Sequence, residues 1–237
     1  MVSQHFSVLL LGLMLGTMVG RALAAEPSTR VVLEYRIAKA GITIGTVREM
    51  FSREAGQYRI VSETRTAGPV RLFLKDRLTI TSEGRIDPAG LVPERYSFQR
   101  ERDAHRNLIA VFDWAAQQII ASSGERRETF ELPPGTHDRV SAMYQFMFRP
   151  PSGDVVSTWM TQGRKAEHYR YLRQGTASVA VAGRELQTVH YRRDAAPGES
   201  RAELWLAPDL KFLPVKMVFS DAQGLSLEQI LVSVSLQ

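Results

Sequence analysis

Residues 31–66, VVLEYRIAKAGITIGTVREMFSREAGQYRIVSETRT, decide the fold class of this chain. Apolar and polar residues alternate through VVLEYRIA, which predicts a strand with Val31, Leu33, Tyr35 and Ile37 on one face. The short turns KAG and AGQ connect it to two further strands, ITIGTVREMFSRE and YRIVSETRT. Turns this short join antiparallel neighbours, because parallel strands need a crossover connection of about a dozen residues or more.

The same pattern of strands and turns continues along the chain. Period-2 runs such as DRLTITSEGRI, RELQTVHYRR and LSLEQILVSVSL are separated by Gly, Pro, Asp and Asn. About a dozen strands joined by tight turns predict an all-β fold, an antiparallel meander curled into a barrel or half-barrel. Such a meander protects its edge strands by closing into a barrel, or by curling around a helix that covers the open side.

One stretch that breaks the strand pattern is PPGTHDRVSAMYQFMFRPP, residues 133–151. We predict a short helix near residues 138–148, with Asp138 as its N-cap and prolines at both boundaries. Four apolar residues follow the i, i+3, i+4, i+7 spacing of one helix face: Val140, Met143, Tyr144 and Met147. The helix is therefore expected to bury an apolar face between two halves of the sheet.

The first residues predict export. An apolar run from Phe6 to Gly20 precedes Ala22-Leu23-Ala24, the small-x-small pattern that signal peptidase accepts. The run is short for a bilayer core of about 30 Å, which favours a cleaved signal peptide. The absence of Lys and Arg before the run, and Arg21 after it, fit an uncleaved anchor better. We expect a signal peptide of residues 1–24, cleavage near Ala24, and a single periplasmic domain of residues 25–237 with no stable membrane anchor.

Cysteine content and charge exclude several classes of protein. The chain has no cysteine, so disulfides, thiolate metal sites and cysteine nucleophiles are excluded. It carries 30 Lys and Arg against 25 Asp and Glu, in clusters such as QRERDAHR and EHYRYLR. These clusters are interpreted as solvated strand faces, or alternatively as a surface for anionic partners such as lipid headgroups or acidic glycans. Nucleic acid is not expected as a partner, because no basic run is free of acids.

His137, Asp138 and Ser141 have the composition of a catalytic triad. A triad needs the base between the nucleophile and the orienting acid. Adjacent His137 and Asp138 point apart at a helix start, and the chain has no Gly-x-Ser-x-Gly elbow. Helix capping explains Asp138 and Ser141, so no catalytic residue is predicted.

No metal site and no cofactor are predicted. The histidines after the predicted cleavage site form no His-x-His or i, i+4 pair: His105, His137, His168 and His190. His168 and His190 lie on strands that could be neighbours and could meet with Glu167 or Glu185, although such pairs are mostly surface or cross-strand contacts. No phosphate-binding glycine loop or dinucleotide fingerprint is present.

Large apolar side chains are the candidates for a ligand pocket inside the curled sheet. The alternative is that they only fill the core. The candidate pocket residues are Phe73, Trp114, Tyr144, Met147, Trp159 and Trp205.

Several segments together resemble an exported bacterial family, the domain of unknown function 3108 (DUF3108). In order they are YRIAKAGITIGTV, YRIVSETRTAGPVRLFLKDRLTITSEGRIDPAGLVPERY, VFDW, LPPGTHDRVSAMYQFMF and AELWLAPDLKFLPVKMVF. The resemblance spans residues 31–235, although residues 162–174 carry no fixed pattern of the family. It implies export and a wrapped antiparallel sheet of the calycin or lipoprotein-carrier kind, and it assigns no functional residue.

These observations favour a non-catalytic binding or carrier module for an apolar or envelope ligand, or for an envelope protein partner. One alternative is a hydrolase that acts on envelope glycans or lipids through acids on the strands. Two buried carboxylates about 5 to 10 Å apart in a pocket would favour it. Another alternative is a purely structural envelope component. An empty interior favours the carrier, and a packed interior favours the structural component.

Overall fold

The computed structural model describes residues 29–69 and 76–236. The predicted signal peptide and Phe73 lie outside these residues. The described chain forms one sheet of 15 strands and one short α-helix. The strands are β1 (Thr29–Lys39), β2 (Ile42–Glu54), β3 (Gln57–Thr66), β4 (Arg77–Asp87), β5 (Gly90–Arg100), β6 (Leu108–Asp113), β7 (Gln118–Ser123), β8 (Arg126–Glu131), β9 (Thr136–Asp138), β10 (Val155–Thr161), β11 (Ala166–Val181), β12 (Arg184–Arg193), β13 (Arg201–Ala207), β14 (Leu213–Ser220) and β15 (Ser226–Leu236), and the helix is α1 (Ser141–Gln145).

The sheet is a meander in which the first and the last described strands, β1 and β15, pair with each other. Its strand order is β8-β7-β6-β5-β4-β3-β2-β1-β15-β14-β13-β12-β11-β10-β9. Every neighbour is consecutive in the chain except β1 and β15, which pair antiparallel with Val31 opposite Leu236. The edges of the sheet are therefore β8 and β9, in the middle of the sequence. The prediction of a curled antiparallel all-β sheet is confirmed; the sheet is not closed, and β9 and β10 pair in parallel.

Alternation along the strands separates a core face from a solvent face. In β1, Val31, Leu33 and Tyr35 are buried, whereas Glu34 and Arg36 are exposed, as the sequence predicts. The sheet curls so that strands far apart in its order meet across this core. The Ser82 hydroxyl of β4, for example, donates a hydrogen bond to Oδ2 of Asp138 in β9, and β4 and β9 lie ten places apart in the strand order.

Two strands have no counterpart in the sequence-based assignment. β8, RRETFE, is an edge strand with exposed residues at almost every position, so it lacks an apolar alternation. β9 has three residues, all buried, and is too short to show a period. Both strands owe their conformation to pairing with β7 and β10 rather than to a local pattern.

The helix forms in the predicted place but is shorter than predicted. It covers residues 141–145, and turns continue to residue 148. Val140, not Asp138, immediately precedes the helix, since Asp138 is the last residue of β9. The expected apolar face is packed inward: Val140 and Tyr144 are buried, and Met143 and Met147 pack partly buried against the core.

Candidate functional site

The structure does not assemble a triad from His137, Asp138 and Ser141. His137 and Asp138 are neighbours on β9, so their side chains point to opposite sides of the strand. The Ser141 hydroxyl donates to Asp138 Oδ2 at 2.8 Å. His137 Nδ1 has no hydrogen-bond partner among the described residues. Burial lowers the pKa of His137 to about 4, so its imidazole is neutral at pH 7.

Asp138 is instead a fully buried hydrogen-bond hub. Its Oδ1 accepts the backbone N–H groups of Val140 and Ser141, both at 2.9 Å, which is the predicted capping chemistry provided from a strand position. Its Oδ2 accepts the hydroxyls of Ser141 and of Ser82 on β4. Burial raises the pKa of the Asp138 carboxyl, and these hydrogen bonds oppose the rise. Asp138 therefore ties β9 and α1 to the opposite side of the sheet.

Glu49 on β2 is a second interior carboxylate. It accepts the Ser62 hydroxyl and the Tyr144 hydroxyl, both at 3.1 Å. Burial raises its pKa, whereas these hydrogen bonds and the positive charge of Arg139 oppose the rise. Tyr144 also stacks on Phe51, with ring centroids 5.5 Å apart. These contacts fix the helix against β2.

The described pocket candidates do not gather around one cavity. Tyr144 is a core residue, Met147 packs against the core, and the Trp114 indole donates to the carbonyl oxygen of Pro93 at 2.6 Å. The two other tryptophans contact histidine rings: Trp205 stacks on His190, and the Trp159 ring is tilted against His168.

Both tryptophans are partly buried and pack against the core. Trp205 lies between the buried Leu204 and Leu206, so its side chain leaves the strand on the opposite face from theirs. Trp159 is followed by Met160, which is also partly buried against the core. His190 also contacts Glu203, at 2.7 Å, so it makes an ordinary cross-strand contact.

A cleft of ≈ 850 Å³ lies between the first half of the sheet, β1–β8, and the second half, β9–β15. Apolar side chains from both halves line it, among them Phe98, Leu108, Met160, Tyr171, Phe219 and Leu225. None of the five described pocket candidates is among its lining residues. The cleft is therefore lined by side chains other than the predicted pocket residues.

The cleft is also strongly basic. Six cations line it together with two carboxylates, Glu167 and Asp221. The cations are Arg106, Arg139, Arg164, Lys165, Arg193 and Arg201. Six of the lining residues come from residues 162–174, the stretch without a fixed family pattern: Gln162, Arg164, Lys165, Glu167, Tyr169 and Tyr171.

The remaining possibilities for a site are limited in the described part of the chain. No group of three or more His, Asp or Glu side chains there is placed to hold a metal ion. Within residues 29–69 and 76–236, no helix has the length and apolar character needed to cross a bilayer. The cleft is therefore the feature on which a functional proposal can be built.

Comparisons with known proteins agree with this architecture. No curated protein matches the chain. The fold is similar to that in the crystal structure of a beta-barrel-like protein of domain of unknown function DUF1849 from Brucella abortus, with a TM-score of 0.53 and 11% sequence identity. The likeness covers 89% of this chain and 98% of that chain, and at this identity it shows the fold alone. The sequence profile of the family described as "Protein of unknown function (DUF3108)" matches residues 34–229, and the chain belongs to this family.

Proposed function

We propose that the protein is a non-catalytic binding or carrier module of the bacterial periplasm, and that it holds an apolar ligand in the cleft. The observation that carries the proposal is the cleft of ≈ 850 Å³ with apolar side chains from both halves of the sheet. Ligand pockets in proteins typically have volumes of about 300–1,000 Å³ and mostly apolar walls. The periplasmic location rests on the predicted signal peptide and on the absence of cysteine.

The mouth of the cleft supports the same proposal. Phe219 and Leu225 are 40% and 41% exposed, and both line the cleft. They flank the turn between β14 and β15, where a ligand that enters the cleft would cover them. Exposed apolar side chains that rim a concavity are typical of binding sites.

Binding is favoured over catalysis because the acids have other partners. Asp138 and Glu49 accept hydrogen bonds from buried hydroxyls and do not line the cleft. Of the two acids that line it, Glu167 accepts the Tyr169 hydroxyl at 3.0 Å. Asp221 accepts backbone N–H groups of its own turn. Each acid thus has a structural role.

A cavity-filling variant tests the proposal. Ala202 is buried and lines the cleft, so a tryptophan at this position would occupy the ligand volume. Ala180→Trp adds the same side chain at an exposed position of β11 and is the matched control. We expect the parent protein and Ala180→Trp to bind the neutral apolar dye Nile red, and Ala202→Trp to lose this binding.

Folding of each variant is checked by its cooperative thermal unfolding. Should Ala202→Trp not fold, Met160→Glu provides a second test, since Met160 also lines the cleft. Native mass spectrometry of gently purified protein complements the dye. Bare protein in every preparation, together with no dye binding by the parent protein, would overturn the proposal.

A further inference from the structure

The cleft carries more positive charge than the binding of an apolar ligand requires. Three of its six cations have a carboxylate within ion-pair distance: Arg106 near Asp103, Arg164 near Glu128, and Arg193 near Glu199, at 3.0, 3.7 and 3.4 Å. The other three, Arg139, Lys165 and Arg201, have no such partner among residues 29–69 and 76–236. An excess of cations in a concave surface focuses a positive potential and attracts anions.

Arg139 connects this charge to the interior. Its side chain is exposed to solvent and lines the cleft, and its backbone N–H donates to the carbonyl oxygen of Thr161 at 3.1 Å. Its positive charge also opposes the rise in pKa of two residues of the core, Glu49 and Tyr96. Arg139 is thus a cation of the cleft that acts on the inside of the curled sheet.

Arg201 combines charge with exposed apolar surface. It lies opposite Ser220 across the β13–β14 pair, and the next pair is Ala202 with Phe219. Ser220 in turn lies opposite Ser226, beside Leu225. The apolar lip of the cleft therefore neighbours a guanidinium that has no ion-pair partner in the described part of the chain.

We infer that the ligand of the cleft is an anionic amphiphile, with an acyl or alkyl chain along the apolar wall and a carboxylate or phosphate at Arg139, Lys165 and Arg201. The inference rests on the proposed function and specifies its ligand class. A neutral apolar molecule would contact the wall but would leave the three cations without counter-charge. An anionic headgroup adds charge-assisted hydrogen bonds to the same cations.

Four probes separate the headgroup from the chain: dodecyl phosphate, dodecanol, dodecyltrimethylammonium and inorganic phosphate. Binding is measured by calorimetry on the parent protein, with the amphiphiles below their micelle concentrations. We expect dodecyl phosphate to bind at least about tenfold more tightly than dodecanol, and more weakly as salt is added. The alkylammonium probe and inorganic phosphate should bind least.

Charge-removing variants locate the headgroup. Arg139→Gln should weaken dodecyl phosphate binding by about tenfold, and Arg139→Gln combined with Lys165→Gln should weaken it further. Both should leave dodecanol binding unchanged. Arg149→Gln is the matched control, because Arg149 is exposed, four residues beyond α1, and does not line the cleft.

Each outcome decides between distinct conclusions. Equal affinity for dodecanol and dodecyl phosphate, with no effect of the variants, would overturn the anionic headgroup and leave the apolar cleft standing. Inorganic phosphate that binds as tightly as dodecyl phosphate would overturn the amphiphile in favour of a free-phosphate site. Failure of all the alkyl probes to bind would overturn the proposed function itself.

Discussion

The interior of the curled sheet is filled by the helix at one end and left open as the cleft at the other. At one end, Gln145 of α1 accepts the backbone N–H of Leu91 at the start of β5, and the helix fills the space. At the other end the same strand contributes Phe98 to the cleft. These positions are about 23 Å apart along β5, at about 3.3 Å per residue. The interior is thus packed around Gln145 and open around Phe98, and Met143 of α1 lies at the boundary, since it lines the cleft.

The polar groups differ in the same way. At the helix end, Asp138 is buried and Glu49 is part-buried, and both are hydrogen-bonded. At the cleft end, Arg139 and Lys165 are exposed and have no ion-pair partner within the described residues. Buried polar groups cost free energy unless they are paired, whereas solvated ones do not. Substitutions at the helix end should therefore change stability, and those at the cleft end should change binding.

The largest expected effect tests the packing of the helix. Tyr144 is 1% exposed, stacks on Phe51 and donates to Glu49. Tyr144→Ala should lower the free energy of unfolding by about 4 kcal/mol, through the cavity and the lost hydrogen bond. Urea denaturation measures the change. Tyr144→Phe, which removes only the hydroxyl, should cost about 1–2 kcal/mol. A loss below 1 kcal/mol for Tyr144→Ala would show that the helix end is not tightly packed.

The next effect depends on pH. The folded-state pKa of His137, about 4, is below its ordinary value of 6.5, so folding favours the neutral imidazole. The resulting stability is fully present above pH 6.5 and is lost as the pH falls towards 4, by up to about 3 kcal/mol.

His137→Phe isolates this contribution, because the variant cannot titrate at this position. Asp138 and Glu49 have raised pKa values and act in the opposite direction, losing stability as pH rises, but they do so in both proteins. Urea denaturation of both proteins at pH 7.5, 6 and 5 should show the parent losing stability relative to the variant. Parallel pH profiles would contradict the burial of this ring.

A glycine pair tests how closely the cleft end approaches the first half of the sheet. Gly163, between β10 and β11, has a φ of +91°, and a Cβ there would lie 2.7 Å from Leu108 Cδ2 and 2.9 Å from Tyr96 Cδ1. Gly183 has a φ of +75° and open space around it.

Gly163→Ala should lower the midpoint of thermal unfolding clearly more than Gly183→Ala. The expected loss in free energy of unfolding is about 2–3 kcal/mol for Gly163→Ala and about 1 kcal/mol for Gly183→Ala. Both substitutions place a non-glycine residue at a positive φ, and only Gly163→Ala adds a steric clash. Equal melting temperatures would mean that the turn at Gly163 does not pack on β5 and β6.

The smallest expected effect on stability concerns two arginines of the cleft, Arg139 and Arg193. Arg139→Gln should change the free energy of unfolding by no more than about 0.5 kcal/mol, because the side chain is exposed and lacks an ion-pair partner among the described residues. Arg193→Gln should cost about 1 kcal/mol, since this guanidinium is 13% exposed, lies 4.4 Å from the Tyr169 ring centroid and pairs with Glu199. A larger loss for Arg139→Gln would give Arg139 a structural role.

The sheet could be predicted from the sequence because each strand carries its own period. Val31, Leu33 and Tyr35 reach the core as their alternation predicts. The edge strands could not be predicted in this way: β8 is polar except for Phe130, and β9 depends on pairing with β10 and on the contact between Asp138 and Ser82. The curl brings together residues far apart in the chain, and no local pattern encodes these contacts.

The residues of the cleft could likewise be predicted only in part from the sequence. The size of Trp205 makes it a candidate for a pocket residue. Its position between Leu204 and Leu206, however, places its side chain on the strand face opposite to theirs. Arg139, Arg201 and Phe219 come from three separate segments, so no spacing in the sequence joins them. Residues 162–174 contain a usable indication, because Glu167, Tyr169 and Tyr171 occupy every second position of one strand, share a face of it and all line the cleft.

The pairing of β1 with β15 has a consequence for the order of assembly. Glu34 and Ser233, which are hydrogen-bonded across this pair, are 199 residues apart in the chain. During synthesis β1 therefore keeps one free edge until the last strand has been made. Contacts this distant in sequence slow folding, and a free edge invites pairing with other chains. Because β15 fills the second edge of β1, we expect β1 to need protection from other chains until β15 has been made.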